Sequence, residues 1–219
     1  MPGHSPASVL IVFGAGGHGR VAADAALASG AFTRVVASDR DPATWGGELL
    51  PGVPVLSLQA VAELPAPLAV HVAIGNNALR RSEADRLLAQ WPGAQLASII
   101  HPHASVAATA RIGAGCLVTA QSVVAPLAEL GAGVIVNHGA VVDHDCRVGA
   151  WAHIAPGARL GGAVRVGDAA LVGAGSTVLR NLRVGAHATL GAGAVLLADL
   201  PDGAAWAGVP ARPLQGASA

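Results

Sequence analysis

From Val106 onward, every sixth residue is aliphatic. The series starts Val106, Ile112, Val118, Val124 and runs unbroken to Leu190 and Leu196. Four residues after most of these stands a small residue, as at Cys116, Ser122, Ala152, Ala170 and Ala188. Gly often follows the aliphatic residue directly, as at Gly113, Gly131, Gly149 and Gly167. A period of six fits neither the 3.6 of a helix nor the 2 of a strand. It is the hexapeptide pattern of a parallel β-helix. Each hexapeptide supplies a short strand and a bend, and three close a triangular coil. The aliphatic residue and the small residue point inward, and Gly is expected to permit the bend. Residues 106 to 195 then form five coils without an insertion. Coils of this repeat wind left-handed; that is a property of the repeat class, because a period has no hand.

The first part of the chain has a different rhythm. VLIVF (9–13) reads as a buried strand, followed by GAGGHG (14–19) and an Ala-rich helix to about residue 29. RVVAS (34–38) is a second strand, ending at Asp39. VPVL (53–56), a helix near Leu58–Glu63, the strand 68–75, a helix over 77–90 capped by Asn76 or Asn77, and a last strand in 93–100 complete the region. Strands alternating with helices predict a parallel α/β sheet. The expected organisation is therefore an α/β Rossmann-like domain over residues 1–98. A left-handed parallel β-helix (hexapeptide repeat) follows over 99–219.

Composition narrows the function. The 13 basic residues are all Arg and balance 13 acidic ones, for a net charge of zero. A nucleic-acid binder needs a basic face, so that class is disfavoured. With 53% apolar residues but only 3% aromatic, the core must pack small side chains in a regular way. Cys116 and Cys146 form no CxxC pair, which excludes a zinc ribbon or redox motif. The apolar run at 9–13 meets Gly14 at once and lacks a basic flank, so it reads as strand rather than signal peptide. Uncharged stretches such as 112–128 are broken by Gly, Pro and Ser and are too short to span a bilayer. A soluble cytoplasmic protein is expected.

Two constellations carry chemistry. Gly14, Gly16 and Gly19 follow a strand and open a helix, and Asp39 lies 20 residues beyond Gly19. This spacing places backbone N–H groups at a helix N-terminus, where a nucleotide's phosphates bind. The alternative is that the glycines only allow close helix–strand packing; His18 favours the phosphate reading. The second constellation is Asn137-His138 and Asp143-His144-Asp145, with His153 nine residues beyond His144. A carboxylate beside an imidazole fixes its tautomer and raises its basicity. His144 and His153 are half a coil apart and diverge within one subunit, so they meet only across an interface. A zinc site between subunits and a solvated histidine surface are the competing readings. A Ser–His–Asp hydrolase lacks its nucleophile elbow.

GAGGHG (14–19), VAIGNNALR (72–80), NHGAVVDHDCRVGAWAHIAPGARLGG (137–162) and AGVPAR (207–212) together resemble the sugar acetyltransferases of the PglD/NeuD type. The resemblance spans nearly the whole chain. It implies transfer of an acetyl group from acetyl-CoA to the amine of a nucleotide-linked amino sugar, of the UDP-4-amino-4,6-dideoxysugar type. It implies a homotrimer with acetyl-CoA between neighbouring solenoids and no metal. His144 is then the general base, with Asp145 beside it and His153 and Asn137 completing the catalytic set. Gly16, Gly17, His18, Asp39 and Asn76 fall at the nucleotide-sugar site. His153, Gly162, Ala174 and Ala192 fall along the coenzyme A channel. Two departures lie in the nucleotide pocket: Ser38 stands where some members have an acid, and Gly16 where some have Ser. The alternatives are O-acetylation of sialic acid or another sugar hydroxyl, a non-catalytic trimeric nucleotide-sugar binder, and a zinc hydratase. A serine acetyltransferase is excluded by the absence of that family's helical N-terminal domain.

Overall fold

The computed structural model describes residues 9–64 and 67–214. The chain divides into two compact units, Met1–Pro102 and His103–Ala219.

In the first unit, strand β1 (Val9–Phe13) lies between β2 (Arg34–Ser38) and a strand over Leu68–Val72, both parallel to it. All five residues of Leu68–Val72 are buried, as expected of a strand covered on both faces. Helix α1 (Gly17–Ser29) follows β1, and Gly30 ends it in the left-handed conformation. Helix α2 spans Leu58–Ala62, with Ser57 Oγ accepting from Ala60 N. Helix α3 (Asn77–Gln90) is capped by Asn76, whose Oδ1 accepts from Leu79 N at 2.9 Å. The sheet contains one strand that the sequence reading missed, Glu48–Leu50, which pairs antiparallel with Val53–Leu56. The turn Pro51-Gly52 makes this hairpin, and three residues are too few to show a period. The expected last strand is two short ones, Gln95–Leu96 and Ile99–Ile100.

The second unit is a solenoid of two-residue strands in three parallel faces. Face I stacks Leu117–Val118, Ile135–Val136, His153–Ile154, Leu171–Val172 and Thr189–Leu190. Face II runs from Ser105–Val106 through Val141–Val142 and Arg159–Leu160 to Val195–Leu196. Face III stacks Arg111–Ile112, Glu129–Leu130, Arg147–Val148, Arg165–Val166 and Arg183–Val184. Each strand pairs with the one 18 residues on, for instance Val136 with Ile154. The aliphatic sixth residues fill the interior: Val118, Val136, Ile154, Val172 and Leu190 are fully buried. The small residues Cys116, Ala152, Ala170 and Ala188 are buried beside them. Ser122 and Ser176, at the same position, donate to the carbonyls of Thr119 and Gly173 and so enter the core satisfied. A strand over Ala205–Ala207 pairs with Thr189–Leu190 and turns back against Arg212–Pro213 at the end of the coil.

One expectation is corrected. The glycines that directly follow the aliphatic residue do not make the bend. Their φ lies outside the left-handed region; the left-handed residues come two positions later, at Gly115, Gly133, Asp145, Trp151 and Ala163. Gly113 and Gly131 are needed for a different reason. A Cβ on Gly113 would stand 2.7 Å from the carbonyl carbon of Gly131, and one on Gly131 2.7 Å from Ala150 N. The coil above leaves no room for a side chain there.

Candidate functional site

In the first unit the loop after β1 shows what each glycine is for. A Cβ on Gly14, whose φ is +116°, would stand 2.7 Å from Ala73 O, and one on Gly19 would overlap Gly14 O. These two glycines serve packing. Gly16 and Gly17 differ: nothing lies within 4 Å of a Cβ built on either. Both are exposed at the start of α1, where Gly16 is the N-cap and no side chain caps the helix. Open backbone at a helix N-terminus suits an approaching phosphate. Packing thus accounts for Gly14 and Gly19 and does not account for Gly16 and Gly17.

Asp39 braces this loop. Its Oδ2 accepts from Ala15 N at 2.7 Å and its Oδ1 from Asp41 N at 3.0 Å. Ser38 is buried, and its hydroxyl donates to Leu56 O. The serine that departs from the family pattern is therefore spent inside the sheet. Asn76 is exposed and occupied as the cap of α3.

Behind the loop lies a set of charges that the sequence reading did not single out. Arg80 is 1% exposed and donates to Ile74 O, Gly75 O and Asn77 Oδ1. The buried Glu83 carboxylate pairs with Arg40 and with Arg86 Nε at 2.9 Å. Arg86 also lies over the Phe13 ring, 5.4 Å from its centroid. His71 is buried, its Nδ1 3.1 Å from Ala97 O. Burial lowers its pKa to about 4, and the nearby charges of His18 and Arg80 push the same way. The ring is neutral, so its Nδ1–H donates to Ala97 O. The missed signal was spacing: Arg80, Glu83, Ala84 and Leu87 share the buried face of α3.

In the second unit Asp143-His144-Asp145 forms the corner between faces II and III. His144 Nδ1 meets Asp145 Oδ2 at 2.7 Å, and His144 N donates to Asp143 Oδ1 at 2.7 Å. Asp145 has φ +59°, a conformation that Asp tolerates better than most residues. The Asp145 hydrogen bond, with the charge of Asp143, holds the imidazole above the ordinary histidine value. With Nδ1 engaged, Nε2 is the nitrogen left for an incoming proton.

Asn137 and His153 form the second cluster. Asn137 Oδ1 accepts from His138 N at 2.9 Å, which turns the amide nitrogen toward His153 Nε2, 3.2 Å away. The amide nitrogen is a donor, so this contact places His153 Nε2 to accept. His153 lies in a strand of face I, whereas His144 lies at the II/III corner. The remaining expected residues divide in the same way. Gly162 is one coil beyond His144 at the II/III corner, while Ala174 and Ala192 are exposed one coil apart at the I/II corner. Cys146 is buried, and burial pushes its thiol up to about 11, so it is unreactive. Among the described residues, no group of three or more His, Cys, Asp or Glu side chains could hold a metal ion. No helix among them is long and apolar enough to cross a membrane.

Comparison with known proteins places these features in a family. Residues 9–87 match the PglD N-terminal domain. No match is found among curated proteins. The acetyltransferase domain of PglB from Neisseria gonorrhoeae FA1090 is 41% identical and superposes with a TM-score of 0.86, covering 94% of this chain and 99% of that one. The same domain in complex with acetyl coenzyme A has a TM-score of 0.87 at 41% identity, covering 94% and 98%. A histidine-to-alanine mutant of GDP-perosamine N-acetyltransferase from Caulobacter crescentus, in complex with CoA and GDP-perosamine, is 35% identical with a TM-score of 0.84, covering 94% and 96%. The Rossmann-like unit, the left-handed β-helix and these likenesses establish that the chain belongs to the PglD/NeuD-type sugar acetyltransferases.

Proposed function

We propose that the protein transfers an acetyl group from acetyl-CoA to the amine of a nucleotide-linked amino sugar, with His144 as general base. The observation that carries this reading is the exposed imidazole tied through Nδ1 to Asp145, which leaves Nε2 as the nitrogen to take a proton, in a chain of this family. The amine nitrogen attacks the thioester carbonyl carbon. Nε2 of His144 takes the proton that the nitrogen loses as the C–N bond forms. The C–S bond then breaks, and the proton passes to the departing thiolate, giving the amide and coenzyme A. Asp145 and Asp143 stabilise the imidazolium meanwhile.

Nucleotide-sugar phosphates bind the open backbone at Gly16 and Gly17, with His18 beside it, and the Asp39 and Asn76 loops wall the pocket. Acetyl-CoA binds along His153, Gly162, Ala174 and Ala192. On a single solenoid these four fall on a face and two different corners. A cleft holding all of them needs two solenoids side by side, which supports a homotrimer in which His144 of one subunit meets His153 and Asn137 of the next. The protein acts in the cytoplasm, where acetyl-CoA and nucleotide sugars are both available.

The test is thiol release from acetyl-CoA with a panel of UDP-, GDP- and dTDP-linked 4-amino sugars, set against sialic acid and other hydroxyl acceptors. Turnover with an amine acceptor is expected. Turnover with hydroxyl acceptors alone would replace the N-acetyl reading by O-acetylation. Absence of acetyl-CoA binding in calorimetry would leave a nucleotide-sugar binder. Light scattering is expected to give three chains per particle.

A further inference from the structure

Among the described residues, two solenoid glycines face a ring where a Cβ would stand: Gly133, which has a left-handed φ, faces Trp151, and Gly162, which does not, faces His144. A Cβ placed on Gly162 would lie 2.5 Å from both Cε1 and Nε2 of His144 and 3.2 Å from Cδ2. These three atoms of one imidazole are its nearest neighbours. Gly161, beside it, is different: there a Cβ would stand 2.9 Å from the backbone nitrogen of Arg180. Gly162 has no left-handed φ either, so neither backbone conformation nor the coil above demands glycine at this place. The space that its missing side chain leaves is filled by the His144 ring.

The ring needs such a seat. The His144 side chain is 59% exposed, so no packed core holds it. Asp145 ties the Nδ1 edge, and the opposite edge, with Cε1, Nε2 and Cδ2, lies against Gly162. The two coils are kept in register here by Ala163 N donating to His144 O at 2.9 Å. The neighbouring corners, Ala125–Ala128 on one side and Gly161–Val164 on the other, carry no titratable side chain. Asp143 and Asp145 are thus the charged groups of the corner itself.

We propose that Gly162 is a positioning residue for the general base: by having no side chain, it lets the His144 imidazole lie across the next coil with Nδ1 on Asp145 and the Cε1–Nε2 edge against Gly162. The proposal rests on the reading of His144 as base. It assigns Gly162 a task within the chain, distinct from lining the coenzyme channel. A methyl group at 162 displaces the ring, and displacement of a reacting group by about 1 Å costs on the order of 10²-fold in rate.

The test is Gly162→Ala in the full chain, with four readouts. Turnover is expected to fall roughly ten- to a hundredfold, by a larger factor than the acetyl-CoA dissociation constant from calorimetry rises, although Gly162 also borders the proposed coenzyme channel. Imidazole NMR, assigned with His144→Asn, is expected to show the His144 pKa falling toward the ordinary histidine value as Asp145 is lost. Any drop in melting temperature in Gly162→Ala is expected to be small, because the exposed ring can swing aside, and to vanish when the same change is made in a His144→Ala background, where the clash is gone. If Gly162→Ala does not fold, recovery of folding in the double variant gives the same answer. An unchanged His144 pKa with weakened acetyl-CoA binding would assign the glycine to the coenzyme and overturn the proposal. So would a loss of stability that persists without the imidazole. The NMR and melting readouts do not depend on catalysis, so normal turnover in His144→Ala would refute the base while leaving the seat to be judged separately.

Discussion

The two units treat charge in opposite ways. Among the described residues, the α/β unit buries the charged Arg80 and Glu83 beside a neutral His71, whereas the buried polar residues of the solenoid are Thr119, Ser122, Asn137 and Ser176, none of them charged. The reason is the width of the interior. A coil holds one aliphatic and one small side chain per hexapeptide, which leaves no volume for a carboxylate with its partners. A helix against a sheet can enclose Glu83 between two arginines. On the solenoid the proposed base is accordingly an exposed corner residue oriented by its neighbours. In the α/β unit the proposed phosphate site is open backbone backed by buried charge.

The comparison breaks first at His144. His144→Ala is expected to lower turnover by about 10²–10⁴ with little change in melting temperature, since the side chain is exposed. A large loss of stability would mean that the corner is structural. Next comes the solenoid core. Ile154→Ala removes a fully buried side chain and is expected to cost about 2–5 kcal/mol in urea unfolding. A smaller cost would mean that the coil collapses around the gap.

His71 sharpens the contrast through pH. Its folded pKa, about 4, lies below the ordinary 6.5. Between these values the unfolded chain binds more protons, so stability is present above pH 6.5 and lost as pH falls toward 4. The loss attributable to this group is about 3 kcal/mol. His71→Gln is expected to flatten that part of the acid titration; an unchanged slope would remove His71 as its cause. The smallest effect is at Asp145. In the proposed mechanism the neutral form of His144 is the base, so kcat/KM is expected to rise with pH through a pKa held above the ordinary value. Asp145→Asn is expected to move this limb to lower pH and reduce the plateau about tenfold. A limb that stays in place would show that another group titrates.

Both constellations were legible in the chain for physical reasons. A hexapeptide period reports the geometry of a coil directly, and GAGGHG needs its spacing to turn and to open a helix. The adjacency of His144 and Asp145 already implied their hydrogen bond. Arg80 and Glu83 were not picked out, because a charged residue in a helix ordinarily faces water and only packing shows that these do not. The three-residue strand Glu48–Leu50 was too short to carry a pattern.

By itself, the order of residues determined the two architectures, the register of the solenoid and the candidate base. Those features depend on local periods and neighbours in the chain. Tertiary structure decided what the glycines are for. Gly14 and Gly19 admit backbone, Gly16 and Gly17 stay open, Gly113 and Gly131 clear the next coil, and Gly162 receives an imidazole from the coil before it. A glycine's purpose is set by the atom that fills the space where its side chain would be. That atom is brought there only when the coils stack.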